Sequence, residues 1–341
     1  MGQRTSENDG SWRQLFLCAL GLHPDARLHK QANAELRLVH ARRFARLWPV
    51  HAFATLLLFL TVPAISMTYD GPGVFDKWIV LGVNLSLLHS VVPTLSYLLS
   101  WNAVSWSIST ELFFYAAFPL LLLNLGQTWL RKTLGAAALT VLLIAGLAIA
   151  NVPLSSPDVN KITAVGATYG SPLTRLFEFT LGMASWAAWH RYVRHWRLGV
   201  RVWTLLELAS IALAALWIFT AYPQIAGALS PWVRLYTDPA GSFWVFPFAV
   251  IVFACGRGAL SRVLSLPAFM FLGEISFSIY MLHQVLVKVF SATLSWPDVP
   301  EVVFFPAVLL LAAASYLLIE KPGQRLLLGK WRFARPVTAR A

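Results

Sequence analysis

The chain has 341 residues, 57% hydrophobic and only 12% charged, with a net charge of +12. A soluble domain carries about 25% charged residues, so this composition excludes an ordinary soluble fold and indicates an all-α, polytopic membrane bundle. Excess Lys and Arg in such a protein marks cytoplasmic loops, and here the basic residues form no stripe, so a lipid bilayer is expected as surroundings and no nucleic acid as partner.

Met1–Gly10 is polar and lacks the basic lead into an apolar core that marks a signal peptide. Trp12–Leu22 is apolar but about half the length of a spanning helix. His23–Arg46 is polar and basic, and reads as an amphipathic or irregular cytoplasmic segment. Leu47–Tyr69 is the first full span, and Tyr69–Lys77 a Gly- and Pro-rich turn. Trp78–Leu99 is apolar but softened by Asn84, Ser86, His89, Pro93 and Ser96. Val104–Leu125 follows, then a basic loop with Arg131 and Lys132, and then Thr133–Val152. After the polar stretch Pro153–Pro172, Leu173–Trp189 carries Arg175 and Glu178 near its start. Arg191, Arg194, Arg197 and Arg201 precede Val202–Tyr222, which holds Glu207. Pro223–Ser242 is a mixed loop, followed by Phe243–Cys255, Leu264–Phe290, Val302–Ile319 and a basic tail. Cys18 and Cys255 have no partner at metal or redox spacing and read as inert.

Placing the basic tail inside and working backward puts Pro223–Ser242 and Pro153–Pro172 outside, and Arg191–Arg201 inside. A crossing by Trp78–Leu99 would leave Arg42, Arg43 and Arg46 outside, against that rule. Its polar residues and Pro93 suit a re-entrant or surface segment buried against protein. The expectation is about eight crossings with both ends cytoplasmic.

Ser105–Tyr115 stands out. Glu111 is the single charge in the apolar run to Leu125. A carboxylate in hydrocarbon costs roughly 2.5–3.5 kcal/mol on insertion scales, which marks a candidate functional group. On a helix Trp106, Ser107, Glu111 and Tyr115 share one broad face, with Ser107 one turn from Glu111 and placed to hydrogen-bond it. An interhelical polar clamp would use Glu111 equally well. Arg175 and Glu178, three apart, could pair, or could touch a sugar near the outer end. His283 lies mid-span beside Tyr280, as a packing histidine or a site residue. His51 and His89 read as structural. Arg42, Arg43 and Arg46 lead into a helix, as ordinary positive-inside anchors or as forks for phosphate.

In order along the chain, Arg43–Pro49, the Trp106–Glu111 block with Phe114 and Tyr115, Arg175–Gly182, Gly273–His283 and Ile319–Pro322 resemble the motifs of the acyltransferase-3 family of membrane O-acyltransferases. That family includes bacterial O-antigen and exopolysaccharide acetylases. The resemblance runs from about Arg42 to Arg325. It implies residues 1–41 as a cytoplasmic segment with a remnant of a second helix, 42–325 as the membrane domain and 326–341 as a basic cytoplasmic tail.

The resemblance further implies a multi-pass bacterial inner-membrane enzyme. It would move an acyl group, most simply acetyl, from cytoplasmic acyl-CoA as co-substrate to a hydroxyl of a surface or lipid-linked sugar. No permanently bound cofactor or metal is implied. Glu111 and His283 would be catalytic, with Glu111 either orienting an imidazole or itself the base. Arg42, Arg43 and Arg46 would hold acyl-CoA. Trp106, Ser107, Ser109, Tyr115, Arg175, Glu178 and Tyr280 would shape the site. The family domain has about ten helices, against about eight crossings counted here. Its first helix carries an Arg about ten residues before a catalytic His, a pattern with no match in this sequence. The expectation is therefore a chain lacking the first helix and most of the second, either an enzyme whose start has been wrongly set or a catalytically dead remnant, so its activity as it stands is open. A transporter or flippase of a glycan precursor is the alternative; it predicts repeat symmetry between halves, and the Trp106–Tyr115 block has no downstream counterpart.

Overall fold

The computed structural model describes residues 26–62 and 76–329 apart from 242 and 297, with side chains from 38 onward. The expectation for Trp12–Leu22 lies outside them. Among the described residues every regular element is helical. Helix α1 (Ala26–Thr61) contains Pro49; α2 is Lys77–Leu85, α3 Leu95–Leu99 and α4 Trp106–Leu122. Helix α5 is Leu125–Ile149, α6 Ala164–Thr168 and α7 Pro172–Ala188, extended by a π-helical turn to Val193. Helix α8 (Val200–Leu216) runs on to Ala226; α9 is Pro231–Ala240, α10 Phe246–Ala254 and α11 Ala259–Leu264. Helix α12 is Pro267–Lys288, and α13 (Glu301–Ser315) passes through a π turn at Tyr316–Glu320 into α14 (Lys321–Leu328).

Six helices among the described residues are long and apolar enough to cross a membrane: Leu38–Thr61, Ala103–Leu122, Leu125–Ile149, Val200–Ala226, Pro267–Thr293 and Glu301–Leu328. The protein is thus an all-α, multi-pass membrane bundle. The two other expected spans do not qualify. Phe243–Cys255 yields only α10, whose 9 residues reach about 14 Å. Leu173–Trp189 becomes a helix of adequate length, but Arg175, Glu178 and the Arg191 end dilute its apolar character. Arg131 and Lys132 sit inside the first turns of α5 rather than in a loop. His23–Arg46, expected as amphipathic or irregular, is continuous helix from Ala26, because no Gly or Pro breaks it before Pro49.

Trp78–Leu99 forms no single helix. It breaks into α2, a 3₁₀ turn at His89–Val91, and α3. Leu87 and Trp101, both buried, take positive φ of 59° and 63° at the reversals. Left-handed backbone costs a non-glycine residue roughly 1–2 kcal/mol, so burial must hold them there.

The chain divides into two compact units: residues 1–67, 115–124 and 277–341, and residues 68–114 and 125–276. In the second, α5 and α7 pack through threonines. Thr140 donates to the Thr174 carbonyl at 3.1 Å and Thr133 to the Thr180 carbonyl at 3.4 Å. Glu207, fully buried in α8, faces the start of α11. Its carboxylate accepts from the N–H groups of Gly258 (3.1 Å) and Leu260 (3.0 Å) and from the Ser261 hydroxyl. A helix start leaves unpaired N–H donors, and a carboxylate satisfies both them and the local dipole. A methyl group at Gly258 would collide with that carboxylate.

Glu207→Ala should therefore destabilise the protein by about 2 kcal/mol or more, since hydrogen bonds to a charged group contribute about 1.5–3 kcal/mol. Gly258→Ala should lower the thermal unfolding midpoint in detergent in the same direction. Unchanged midpoints in both variants would show that the start of α11 is held by other means.

Candidate functional site

The second unit places the Trp-Ser-Ile-Ser-Thr-Glu block on α4, directly after the broken segment. Buried serines tie the two together. Ser105 bonds His89 Nε2 at 3.1 Å and accepts from Asn84 at 3.2 Å. The Ser109 hydroxyl lies 2.7 Å from both the Leu87 carbonyl and the Ser90 hydroxyl, and it accepts from the Ser90 N–H at 3.1 Å. Thr110 donates to the Gly170 carbonyl at 2.6 Å. Ser109 is therefore a brace on the broken segment, as His89 is. Ser107 donates its proton to the Val104 carbonyl at 3.0 Å, in place of the expected bond to Glu111. A serine in a first helical turn finds the i−3 carbonyl more readily than a side chain one turn on.

Around Trp106 an aromatic and cationic cluster forms. Tyr169 meets the Trp106 ring edge-on at 5.2 Å, and the Arg175 guanidinium stands 5.6 Å from Trp106 and 5.8 Å from Tyr169. Arg175 is buried and fully engaged. Its Nε and Nη2 donate to the Tyr169 carbonyl at 2.7 and 2.6 Å, and Nη1 pairs with Glu178 at 2.9 Å. The pairing read from the spacing is thus present. Arg175 braces the turn that presents Tyr169, and Glu178 stays half-exposed. Tyr236 of α9 completes the group. Burial, then the adjacent Glu178 charge, raises its hydroxyl above the usual tyrosine range, so it stays protonated. Glu111 lies half-buried on α4, five residues beyond Trp106 and four before Tyr115.

The first unit gathers a different set. Arg42, Arg43 and Arg46 are exposed at the front of the α1 span. Arg43 stands 5.2 Å from the Tyr115 ring centroid, and the Tyr115 carbonyl takes a hydrogen bond from His40 at 3.0 Å. Glu320, buried in the π turn, accepts from Ser278 at 2.9 Å and from Gln324 at 3.2 Å. Arg46 and Lys321 act on the same carboxylate, and Lys321 stands over the Tyr316 ring at 4.5 Å. A methyl at Gly323 would press on Pro49 at 2.8 Å, so the closing motif docks tightly on α1. Residues of three motifs far apart in sequence, Arg46 and Pro49, Ser278, and Glu320, thus come together in this unit.

His283 is half-exposed, with Nδ1 2.7 Å from the Tyr280 carbonyl. A carbonyl only accepts, so Nδ1 carries the proton and Nε2 keeps its lone pair. Tyr280 is exposed, its ring 5.9 Å from the imidazole. Among the described residues no group of three or more His, Cys, Asp or Glu assembles to hold a metal ion. Sequence reasoning missed His40, Tyr169, Tyr236 and the Ser278–Glu320 bond. His40 alone carried a local signal, one helical turn before Arg43.

Arg175→Lys keeps the charge but loses the fork that grips one carbonyl twice. It should cost about 1.5–3 kcal/mol of stability, read as a lower thermal midpoint; an unchanged midpoint would show that Tyr169 is held without it.

Comparison with known proteins bears on the whole arrangement. The profile of a family described as an acyltransferase domain, Acyl_transf_3, matches residues 31–320. Acyltransferase MdmB of Streptomyces mycarofaciens is 25% identical over 258 residues, covering 72% of this chain. The matched region spans 60% of that relative's length. No solved structure matches significantly. With that profile covering most of the chain, this protein belongs to the acyltransferase-3 family.

Proposed function

We propose that the protein acts at a bacterial inner membrane and moves an acyl group, acetyl in the simplest case, from cytoplasmic acyl-CoA to a sugar hydroxyl of a surface glycan or glycolipid. The observation that carries this reading is the row of exposed guanidiniums at the front of the α1 span. Arg42, Arg43 and Arg46 offer forked donors suited to the phosphates of coenzyme A, and Tyr115 steadies Arg43. A positively charged helix front also lies on the side where acyl-CoA is made.

The chemistry needs a base and a nucleophile but no resident cofactor. The acceptor oxygen attacks the thioester carbonyl, its proton passes to the base, and coenzyme A leaves as the thiol. Glu111 supplies the one carboxylate of an apolar helix. His283 supplies an imidazole held through Nδ1 by the Tyr280 carbonyl. Trp106, Tyr169 and Arg175 form a braced wall in the same unit as Glu111.

Glu111→Gln should lower acyl transfer by about 100-fold or more if Glu111 is the base, with His283→Asn less affected. The reverse order would assign the base to His283, and wild-type rates in both would remove the pair from the chemistry. Arg43→Ala combined with Arg46→Ala should raise KM for acetyl-CoA about tenfold or more with a smaller change in kcat. An unchanged KM would return those arginines to simple membrane anchoring.

A further inference from the structure

An open cleft of about 510 Å³ lies in the second unit between the 153–169 segment and α9. Its size falls in the range of about 300–1,000 Å³ typical of small-molecule sites. Leu154, Val165, Leu235 and the Tyr169 side chain give it apolar walls, and Arg234 and Asp238 stand on its rim. The walls are firm. Val165 N–H donates to the Leu154 carbonyl at 3.1 Å, and Ala164 to the Pro153 carbonyl at 2.9 Å. Both ends of α9 are fixed. Ser230 caps its start, and the carbonyl of Gly241 at its end accepts from Trp217 at 2.8 Å.

The rim pair is arranged in advance. Asp238 accepts from Tyr222 at 2.6 Å and faces Arg234, whose Nη2 lies 3.1 Å away. The slight burial of Asp238 would raise its pKa, but the bonds from Tyr222 and Arg234 prevail and hold it below the usual carboxylate range, so it stays ionised near neutral pH. Both side chains are nearly half exposed, and such a pair adds little to stability. The arrangement instead leaves carboxylate oxygens and guanidinium N–H groups facing solvent beside apolar surface.

We propose that this cleft is the acceptor subsite, taking a neutral, polyhydroxylated ring: a hexopyranoside whose apolar face lies on the Tyr169 wall and whose vicinal hydroxyls bridge Asp238 and Arg234. The proposal rests on the sugar-acylating reading above. Neutrality follows from the rim, where one carboxylate already answers one guanidinium, so that an anion would be opposed by Asp238. The cleft lies at the far end of α8 from the arginine-rich 191–201 segment. Tyr222 is about 30 Å along that helix from Arg201 at 1.5 Å per residue. It therefore opens on the face away from the basic, cytoplasmic side. It also adjoins the Trp106 cluster, because Tyr169 both lines the cleft and gives its carbonyl to Arg175.

The test uses the full chain in lipid nanodiscs and a panel of methyl hexopyranosides, with binding followed by saturation-transfer NMR. Acetyl transfer from labelled acetyl-CoA to the same glycosides is measured separately. Wild type should bind at least one glycoside, and Asp238→Asn and Arg234→Gln should each weaken that binding about tenfold, with Arg131→Gln, exposed on α5 and not part of the cleft lining, as an unaffected control. Glycoside binding indifferent to both rim variants, or no binding at all, would overturn the cleft assignment even if transfer is seen. Binding that depends on Asp238 without any acetyl transfer would uphold the cleft and overturn the acyl-transfer reading.

Discussion

Backbone that leaves regular helix at membrane depth must find its hydrogen bonds within the protein, because hydrocarbon offers none. The stretch from Ser86 to Ser105, expected from its sequence to be re-entrant or at the surface, meets that requirement. It turns back through left-handed Leu87 and Trp101, and the Leu87 carbonyl and the Ser90 N–H are both taken up by Ser109 of α4. Ser105 and Ser109 thereby join the broken segment to the helix that carries Glu111, and Thr110 joins that helix to Gly170. The small hydroxyl residues of the Trp-Ser-Ile-Ser-Thr-Glu block are needed for this scaffolding. They free Trp106 to face Tyr169 and Arg175, and leave Glu111 as the one carboxylate on the helix.

The same economy operates in the first unit. Glu320 is buried but answered by Ser278 and Gln324, with Arg46 and Lys321 close by. A buried carboxylate without such partners would be strongly destabilising. The π turn at Tyr316–Glu320 inserts one extra residue per turn and re-aims the chain there, a common feature of functional helices. Glu207 and Glu320, which look isolated in the sequence, each take their partners from residues far away along the chain or one turn on.

Much of this was legible in the residues themselves. Long apolar runs marked all six spans, and the last needed only its helix carried past Ile319. The polar residues of Trp78–Leu99 correctly marked it as something other than a simple span. The Arg175–Glu178 pair followed from i,i+3 spacing. What failed depended on tertiary detail. Ser107 chose a backbone carbonyl, Ser109 proved to be a brace, and Glu207 gained its role from a helix start some fifty residues away. The Arg234–Asp238 rim lay in a stretch read as loop, because Pro231 and Pro239 look like breakers although Pro231 sits in the permissive first turn of α9.

The proposed function has acyl groups cross from a basic, cytoplasmic donor face to an acceptor on the other. The most direct measurement uses sealed vesicles of known orientation, with acetyl-CoA labelled in its acetyl group supplied on one side only. The account predicts that label reaches glycoside enclosed on the opposite side, and only when acetyl-CoA is on the face bearing Arg42, Arg43 and Arg46. Transfer confined to glycoside on the same side as the donor, or equal transfer from either face, would contradict it.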